Sequence, residues 1–183
     1  PQLVNMYGIT ETTVHVTYYP LTCDQNNGKS IIGSSLPDLQ IWVVDAFHQP
    51  VPIGVPGEMY VGGAGVTRGY HNRSELTAEK FIEVEIFGKL QCCYKTGDLA
   101  RWLPNGNLEY LGRIDNQVKI RGFRIELGEI EACLVSNPTV KEAVVMVSGQ
   151  DETKTLIAYI TANTKLKVEE LRYYIKTLLP DYM

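Results

Sequence analysis

Long apolar runs are missing from this sequence. No stretch approaches the ~20 residues that a helix needs to cross a bilayer, which argues against a helical membrane span. A basic surplus is missing too. The 183 residues carry 17 Lys plus Arg against 21 Asp plus Glu, a formal net charge of −4. That balance gives no electrostatic footprint for nucleic acid. Cysteine is scarce: Cys23, Cys92, Cys93 and Cys133, with no C-x-x-C pair, and the only histidines are His15, His48 and His71. Such spacing offers no zinc ligand set. Cys92 and Cys93 are neighbours and would face opposite sides of a strand. Free thiols in a reducing cytoplasm are therefore the expectation. No Ser/His/Asp or Cys/His pattern for nucleophilic catalysis is present. The run Gly62-Gly63-Ala64-Gly65 lacks the G-x-x-x-x-G-K-[ST] spacing of a phosphate-binding P-loop. The start, Pro1 to Asn5, has neither an initiator Met nor a signal-peptide pattern, so the sequence reads as part of a longer one. There are no repeats, low-complexity tracts or long charge blocks.

What is there is an ordinary globular composition, 44% hydrophobic and 21% charged, long enough for one domain or two small ones. Residues 13–19 (Thr-Val-His-Val-Thr-Tyr-Tyr) are rich in β-branched and aromatic types and read as a strand stopped by Pro20. Residues 21–30, with Asn27-Gly28, read as a polar loop. Ile41 to Asp45 and Glu58 to Val61 are further strands, separated by the turn-forming Pro50, Pro52, Gly54, Pro56 and Gly57. A short helix is expected after Ser74. Cys93 to Arg113 reads as a hairpin, with arms Leu99–Leu103 and Leu108–Leu111 around Pro104-Asn105-Gly106-Asn107, and a further strand runs from Gln117 to Ile120.

The pattern then changes. Leu127, Ile130 and Leu134 share a helical face, and Asn137-Pro138 ends that helix. Val140–Val147 and Thr155–Ala162 read as strands joined by a turn at 149–152. Val168, Leu171, Ile175 and Leu178 mark a last helical face, with Glu169 and Glu170 suited to its first turn. The fold class expected is α+β. A mostly β part with glycine-rich loops, 1–114, precedes a small α+β part, 115–183.

Three segments could carry chemistry. Asn5-Met6-Tyr7-Gly8-Ile9-Thr10-Glu11 combines a ring, an amide, a hydroxyl and a carboxylate, the groups a nucleotide and its Mg²⁺ require. On spacing alone, a polar turn before a strand is the better reading. Tyr94-Lys95-Thr96-Gly97-Asp98 offers a carboxylate for ribose hydroxyls, or a capped turn. Gly112 to Arg124 packs four basic residues, with Lys119 and Arg121 at alternating strand spacing. They could grip an anion or form a solvated face.

In order and wording, these segments resemble the adenylation domain of nonribosomal peptide synthetases, within the acyl-adenylate-forming superfamily. Asn5–Glu11 is similar to the family's N-x-Y-G-P-T-E. Gly57–Gly65, continuing to Arg68-Gly69-Tyr70, resembles the next motif. Tyr94–Leu99 resembles Y-[RK]-T-G-D-L. Gly112–Glu131 follows G-R-x-D-x-Q-V-K-I-R-G-x-R-I-E-L-G-E-I-E almost letter for letter, and Leu179–Met183 resembles the start of L-P-x-Y-M-[IV]-P. Ile9 stands in place of the usual proline, Ser34-Ser35 where Arg-Pro is common, and Ser74 where Pro often stands. None of these departures removes a ligand.

The resemblance implies a reaction: ATP and an amino acid give an aminoacyl adenylate, and the acyl group then passes to the phosphopantetheine thiol of a carrier domain. By position, Tyr7 would stack on adenine and Asn5 would lie near its amino edge. Thr10 would touch the phosphates, Glu11 would help hold Mg²⁺, and Asp98 would bind the ribose hydroxyls with Arg113 beside it. Asp115 would be the hinge of a small C-terminal subdomain, Lys119 would position substrates, and Gly122 would border the pantetheine channel. Met6, Val14 and His15 would line the side-chain pocket, a combination similar to that of threonine-activating domains. Val14 and His15 are adjacent, so a local twist is needed for both to face it. The partners implied are a carrier domain and a condensation domain. The family's phosphate loop, its amine-binding aspartate and its final adenylation lysine are not in this sequence, so these residues alone are not expected to complete adenylation. A free-standing acyl- or aryl-CoA ligase of the same superfamily, and a non-catalytic remnant, are the alternatives. Intact Tyr7, Glu11, Asp98 and Lys119 argue against the remnant.

Overall fold

The structure, a computed structural model, describes residues 1–22, 28–149, 153–162 and 167–183. Cys23, Asn27 and the 150–152 part of the expected turn lie outside the described residues. The chain forms two compact units, Pro1–Asp115 and Asn116–Met183. Its class is α+β, with strands dominating the first unit.

The first unit contains β1 (Val4–Asn5), a 3-10 turn at Thr10–Thr12, β2 (Thr17–Pro20), β3 (Ile31–Ser35), β4 (Leu39–Val44), β5 (Gly57–Gly63), α1 (Ser74–Lys80), β6 (Phe81–Ile86), β7 (Lys89–Trp102) and β8 (Leu108–Arg113). The strands pair antiparallel in the order β1-β2-β3-β8-β7-β5-β4, with β6 also on β7. Side chains alternate across a strand, and β5 shows the result. Met59 and Val61 join one apolar cluster with Ile41, Val43 and Leu108, whereas Tyr60 joins a second with Val44, Val84 and Cys93. β5 therefore buries both faces, as expected of a central strand.

β7 organises the unit. One edge pairs with β5. The other pairs with β6 from Lys89 to Tyr94 and with β8 from Asp98 to Trp102. Between those partners the register slips, and Gly97 has φ +71°. A side chain there would meet Arg113 Nη2 at 2.7 Å as well as adopting a left-handed backbone. Sequence alone suggests a turn at Tyr94–Asp98 and an arm that begins at Leu99. The chain instead runs as one strand of 14 residues, because a bulge lets it kink without leaving the sheet.

The expected strand at 13–19 begins only at Thr17. Before it, Thr13 and Val14 have φ +60° and +70°, a conformation that costs a β-branched residue of order 1–3 kcal/mol. The loop enforces it. Val14 N donates to Ile9 O at 3.0 Å, Thr13 Oγ1 donates to Gly65 O at 2.6 Å, and Thr67 N donates to Glu11 O at 2.9 Å. Gly8 lies against the Val14 carbonyl where no Cβ would fit. β-propensity reads such a segment as a strand because it sees the side chains and not these tertiary ties.

The second unit contains β9 (Gln117–Ile120), β10 (Phe123–Glu126), α2 (Leu127–Val135), β11 (Val140–Ser148), β12 (Thr155–Ala162) and α3 (Val168–Leu178). Leu127, Ile130 and Leu134 of α2 are buried, and they pack with Ile125, Val140, Val145 and Leu171. In α3, Leu171 is buried and Ile175 packs beside it, but Val168 and Leu178 are exposed. Glu131 Oε1 accepts from Val145 N at 2.8 Å, tying α2 to β11. The β9–β10 hairpin turns on Arg121 and Gly122, with φ +50° and +82°, the signs that a two-residue type I′ turn requires. Arg121 therefore sits in the turn and does not share the face of Lys119. The residue paired across from Lys119 is Arg124.

Candidate functional site

Two clusters in the first unit gather residues from distant parts of the sequence. The first joins Tyr7, Asp98, Arg113 and Asp115. Tyr7 follows β1 and is held by its backbone. Its carbonyl accepts from Val16 N at 2.8 Å and Thr17 N at 3.1 Å, and its N–H donates to Thr17 Oγ1 at 3.2 Å. Its hydroxyl donates to Asp98 Oδ2. Asp98 is 3% exposed, which would be costly for a lone carboxylate. Arg113, paired across from it on β8, donates from Nη1 to Asp98 Oδ1 at 3.0 Å. Arg113 also donates from Nε to Asp115 Oδ1 at 2.6 Å and from Nη2 to Asp115 Oδ2.

Electrostatics follow from that geometry. Burial pushes the Tyr7 hydroxyl far above the usual phenol range, and the charge on Asp98 adds to the shift. Tyr110, whose ring centroid lies 6.2 Å from that of Tyr7, is raised by burial and then by Asp98. Burial works against the Arg113 charge, but Asp115 and Asp98 outweigh it and hold the guanidinium cationic. An ionised carboxylate accepts at about four positions. The Tyr7 and Arg113 contacts engage both of its oxygens and orient Asp98.

The second cluster centres on Glu11, in the 3-10 turn and 7% exposed. Its Oε1 accepts from Tyr70 Oη at 2.7 Å and from Tyr94 Oη at 3.0 Å. The two hydroxyl oxygens are 3.1 Å apart. The hydroxyl of Tyr70 is pushed well above its usual range, first by burial and then by its hydrogen bonds to Tyr94 and Glu11. The sequence motifs contain both tyrosines but assign neither a role. Their spacing carries no periodic signal, and only the tertiary fold brings them together.

The remaining candidates lie apart from these contacts. Asn5 is half-buried, and its Nδ2 donates to Ile31 O at 2.6 Å. Thr10, Met6, Val14 and His15 are exposed around the same loop. Val14 is left-handed, so Val14 and His15 do not follow strand alternation. In the second unit, Lys119 is exposed on β9 and Gly122 is exposed at the hairpin turn, with nothing within 4 Å of a Cβ added there. Among the described residues no group of three or more His, Cys, Asp and Glu could cage a metal ion. One carboxylate such as Glu11 suits Mg²⁺, which keeps waters and substrate phosphates as its other ligands. Among the described residues, no helix is long and apolar enough to cross a membrane.

Comparison with known proteins gives one answer. Residues 1–71 match the AMP-binding enzyme family. Over its whole length the chain is 48% identical both to malpinin synthetase of Mortierella alpina and to bacitracin synthase 1 of Bacillus licheniformis. It is 51% identical to a dimodular nonribosomal peptide synthase of Bacillus subtilis (strain 168). It spans only 2%, 4% and 8% of those proteins. Among solved structures, a fused adenylation–PCP di-domain, NpsA-ThdA from Klebsiella oxytoca, aligns with a TM-score of 0.78 at 28% identity, over 100% of this chain and 34% of that one. The o-succinylbenzoate CoA synthetase of Bacillus subtilis aligns with a TM-score of 0.83 at 26% identity, over 99% of this chain and 36% of that one. Fold alone therefore does not separate peptide synthetases from CoA ligases, whereas a relative at 51% identity is itself a nonribosomal peptide synthase. The chain belongs to the AMP-binding enzyme family, among the adenylation domains of nonribosomal peptide synthetases.

Proposed function

We propose that this chain is part of an ATP-dependent ligase that activates an amino acid as its aminoacyl adenylate and passes it to the phosphopantetheine thiol of a carrier domain. In the first step a carboxylate oxygen of the amino acid attacks the α-phosphorus of ATP, and pyrophosphate leaves. In the second, a thiol sulfur attacks the acyl carbonyl and AMP leaves. The observation that carries the reading is the convergence of Tyr7, Asp98 and Arg113 through hydrogen bonds. Asp98 accepts the ribose hydroxyls, Arg113 keeps that buried carboxylate charged and aimed, and the Tyr7 ring lies beside it to stack on adenine. Asn5 lies near the adenine amino group and Thr10 near the phosphates. Glu11 would hold Mg²⁺ together with phosphate oxygens, and Mg²⁺ when bound neutralises charge on the phosphates.

In this reading residues 1–114 end the large subdomain and 115–183 begin the small one, with Asp115 as the hinge. Lys119 positions substrates, and Gly122 leaves room for the pantetheine arm. Met6, Val14 and His15 face the amino-acid side chain, and a histidine that can hydrogen-bond a hydroxyl favours threonine. A condensation domain is the further partner. The free thiols of Cys92, Cys93 and Cys133 suit a reducing cytoplasm.

Amino-acid-dependent ATP–pyrophosphate exchange on the full-length protein, with threonine in a complete panel, tests the reading. Exchange with one amino acid, lost or shifted to a much higher KM for ATP in Asp98→Ala, supports it. Exchange that is unchanged in Asp98→Ala refutes the ribose assignment. The TM-score of 0.83 with a CoA synthetase keeps a second reading in view. Release of AMP that depends on CoA and a carboxylic acid, with no amino-acid-dependent exchange, would select it.

A further inference from the structure

The Glu11 carboxylate is held by two hydroxyls that belong to no role so far assigned. Both Tyr70 and Tyr94 lie within hydrogen-bonding distance of the same oxygen, Oε1. They reach it from 59 and 83 residues away in sequence. Each is fixed independently. Tyr94 sits mid-way along β7, fully buried, paired to Val61 on one edge and Phe81 on the other. Tyr70 is tied through its backbone N–H to Thr77 Oγ1 at 2.9 Å. The Phe81 ring supports both, with its centroid 5.5 Å from that of Tyr70 and 4.9 Å from that of Tyr94. The hydroxyls are thus fixed points, and the carboxylate is hung from them.

The chemistry of the donors matters. A buried carboxylate needs hydrogen bonds to offset its lost hydration. An arginine or lysine could supply them, but its charge would neutralise Glu11 and compete with any cation. Two neutral phenols offset part of that desolvation without bringing a positive charge of their own. The two hydroxyls lie 3.1 Å from each other as well as on Oε1, so that oxygen is held at one corner of a compact triangle.

We propose that Tyr70 and Tyr94 are positioning residues that aim the Glu11 carboxylate at a divalent cation. This deepens the reading that Glu11 helps hold Mg²⁺ and rests on it.

The test measures Mn²⁺ binding by electron paramagnetic resonance in the full-length protein, with a non-hydrolysable ATP analogue present. Alongside it, affinity for AMP is measured without metal. Tyr70→Phe and Tyr94→Phe, which keep the rings and remove only the hydroxyls, are each expected to weaken Mn²⁺ binding about tenfold, the usual cost of losing a partner that orients a metal ligand. AMP affinity without metal should not change, because Tyr7 and Asp98 are untouched. Glu11→Gln is the reference and should weaken Mn²⁺ at least as much. If Glu11→Gln weakens Mn²⁺ while both tyrosine variants bind it as the parent does, the proposal is overturned and the Glu11 reading stands. If Glu11→Gln has no effect, the Glu11 reading fails and the proposal falls with it. Parallel losses of Mn²⁺ and metal-free AMP affinity would mean a structural role only, and would also overturn it. Should Tyr94→Phe fail to fold, half-buried Tyr70 decides the matter alone.

Discussion

Arg113 Nη1 donates to Asp98 Oδ1 at 3.0 Å while the same guanidinium grips Asp115 through Nε and Nη2. One planar cation thus spans two carboxylates through three separate nitrogens in a fixed fork, a geometry that the single nitrogen of lysine cannot match. Arg113→Lys is expected to keep charge near Asp98 but lose the second anchor. AMP affinity, read by calorimetry in the full-length protein, should fall several-fold. Arg113→Ala should do worse, because it leaves buried Asp98 without its cation, a loss that costs about 3–5 kcal/mol in comparable pairs. Equal AMP affinity in parent and both variants would show that nucleotide binding does not depend on this pair and would overturn the proposed ribose role of Asp98.

Gly97→Ala is expected to strain the backbone of β7 and disturb the Arg113–Asp115 contact together. The residue has φ +71°, and an added Cβ meets Arg113 Nη2 and Asp115 Oδ2, each at 2.7 Å. Left-handed strain alone costs about 1–2 kcal/mol, and the guanidinium must also shift. Loss of both thermal stability and AMP affinity is the expected pair of results. A stable variant with normal AMP binding would place the bulge elsewhere.

Element types were legible in the sequence wherever periodicity and punctuation agreed. Leu127, Ile130 and Leu134 gave α2, Asn105-Gly106 gave the β7–β8 hairpin, and Thr155–Ala162 gave β12. The short strands β1, β3, β6 and β10 were not legible, because two to six residues carry too little period to separate them from loop. The segment 13–16 misled for a different reason. Its β-branched residues favour a strand, yet hydrogen bonds to Ile9 and Gly65 hold Thr13 and Val14 left-handed. At the candidate site, Tyr7, Glu11, Asp98 and Arg113 were singled out by the resemblance of their segments to the family's motifs, since spacing alone reads Asn5–Glu11 and Tyr94–Asp98 as turns. Tyr70 and Tyr94 were not, since a tyrosine in a motif looks like core until its hydroxyl is seen on a carboxylate.

Gly8→Ala tests the loop that carries the proposed pocket residues Val14 and His15. An added Cβ would overlap the Val14 carbonyl and come within 2.9 Å of His15 Cα. The loop must open, which moves Val14 and His15 together. The expected readout is a broadened or altered amino-acid profile in ATP–pyrophosphate exchange, with metal-free AMP affinity reduced less. An unchanged profile would separate the Val14–His15 backbone from substrate choice.

The β9–β10 turn separates strain from obstruction. Gly122 has φ +82° and open space around it, whereas Arg121 holds φ +50° with a full side chain. Arg121→Asn, which accepts a left-handed backbone more readily, is expected to stabilise the chain by a few tenths to about 1 kcal/mol. Gly122→Ala should destabilise it by about 1–2 kcal/mol from conformation alone. Urea melts of both variants give the comparison. In the full-length protein, a thiolation defect in Gly122→Ala larger than its adenylation defect would mark the pantetheine path. Equal defects would leave only the strain.

Cysteine chemistry gives a pH dependence with a definite sign. Cys93 is fully buried, and burial, with a contribution from neighbouring Cys92, pushes its thiol from 9.0 up to about 12. Cys92 is exposed. Through pH 9 to 12 the unfolded chain loses the Cys93 proton while the folded chain keeps it. The folded state therefore binds more protons, and stability falls as pH rises across that window. Below pH 9 the contribution is fully present. Replacing Cys93 by Ala removes the titrating group and leaves a small packing loss at every pH. The stability gap between parent and Cys93→Ala, measured by urea melts at pH 8 and pH 10.5, should narrow at the higher value. A thiol reagent at pH 8 should label Cys92 readily and spare Cys93 until urea unfolds the chain. A constant gap, with Cys93 labelled in the native state at the same rate as Cys92, would mean that the thiol is not buried in solution.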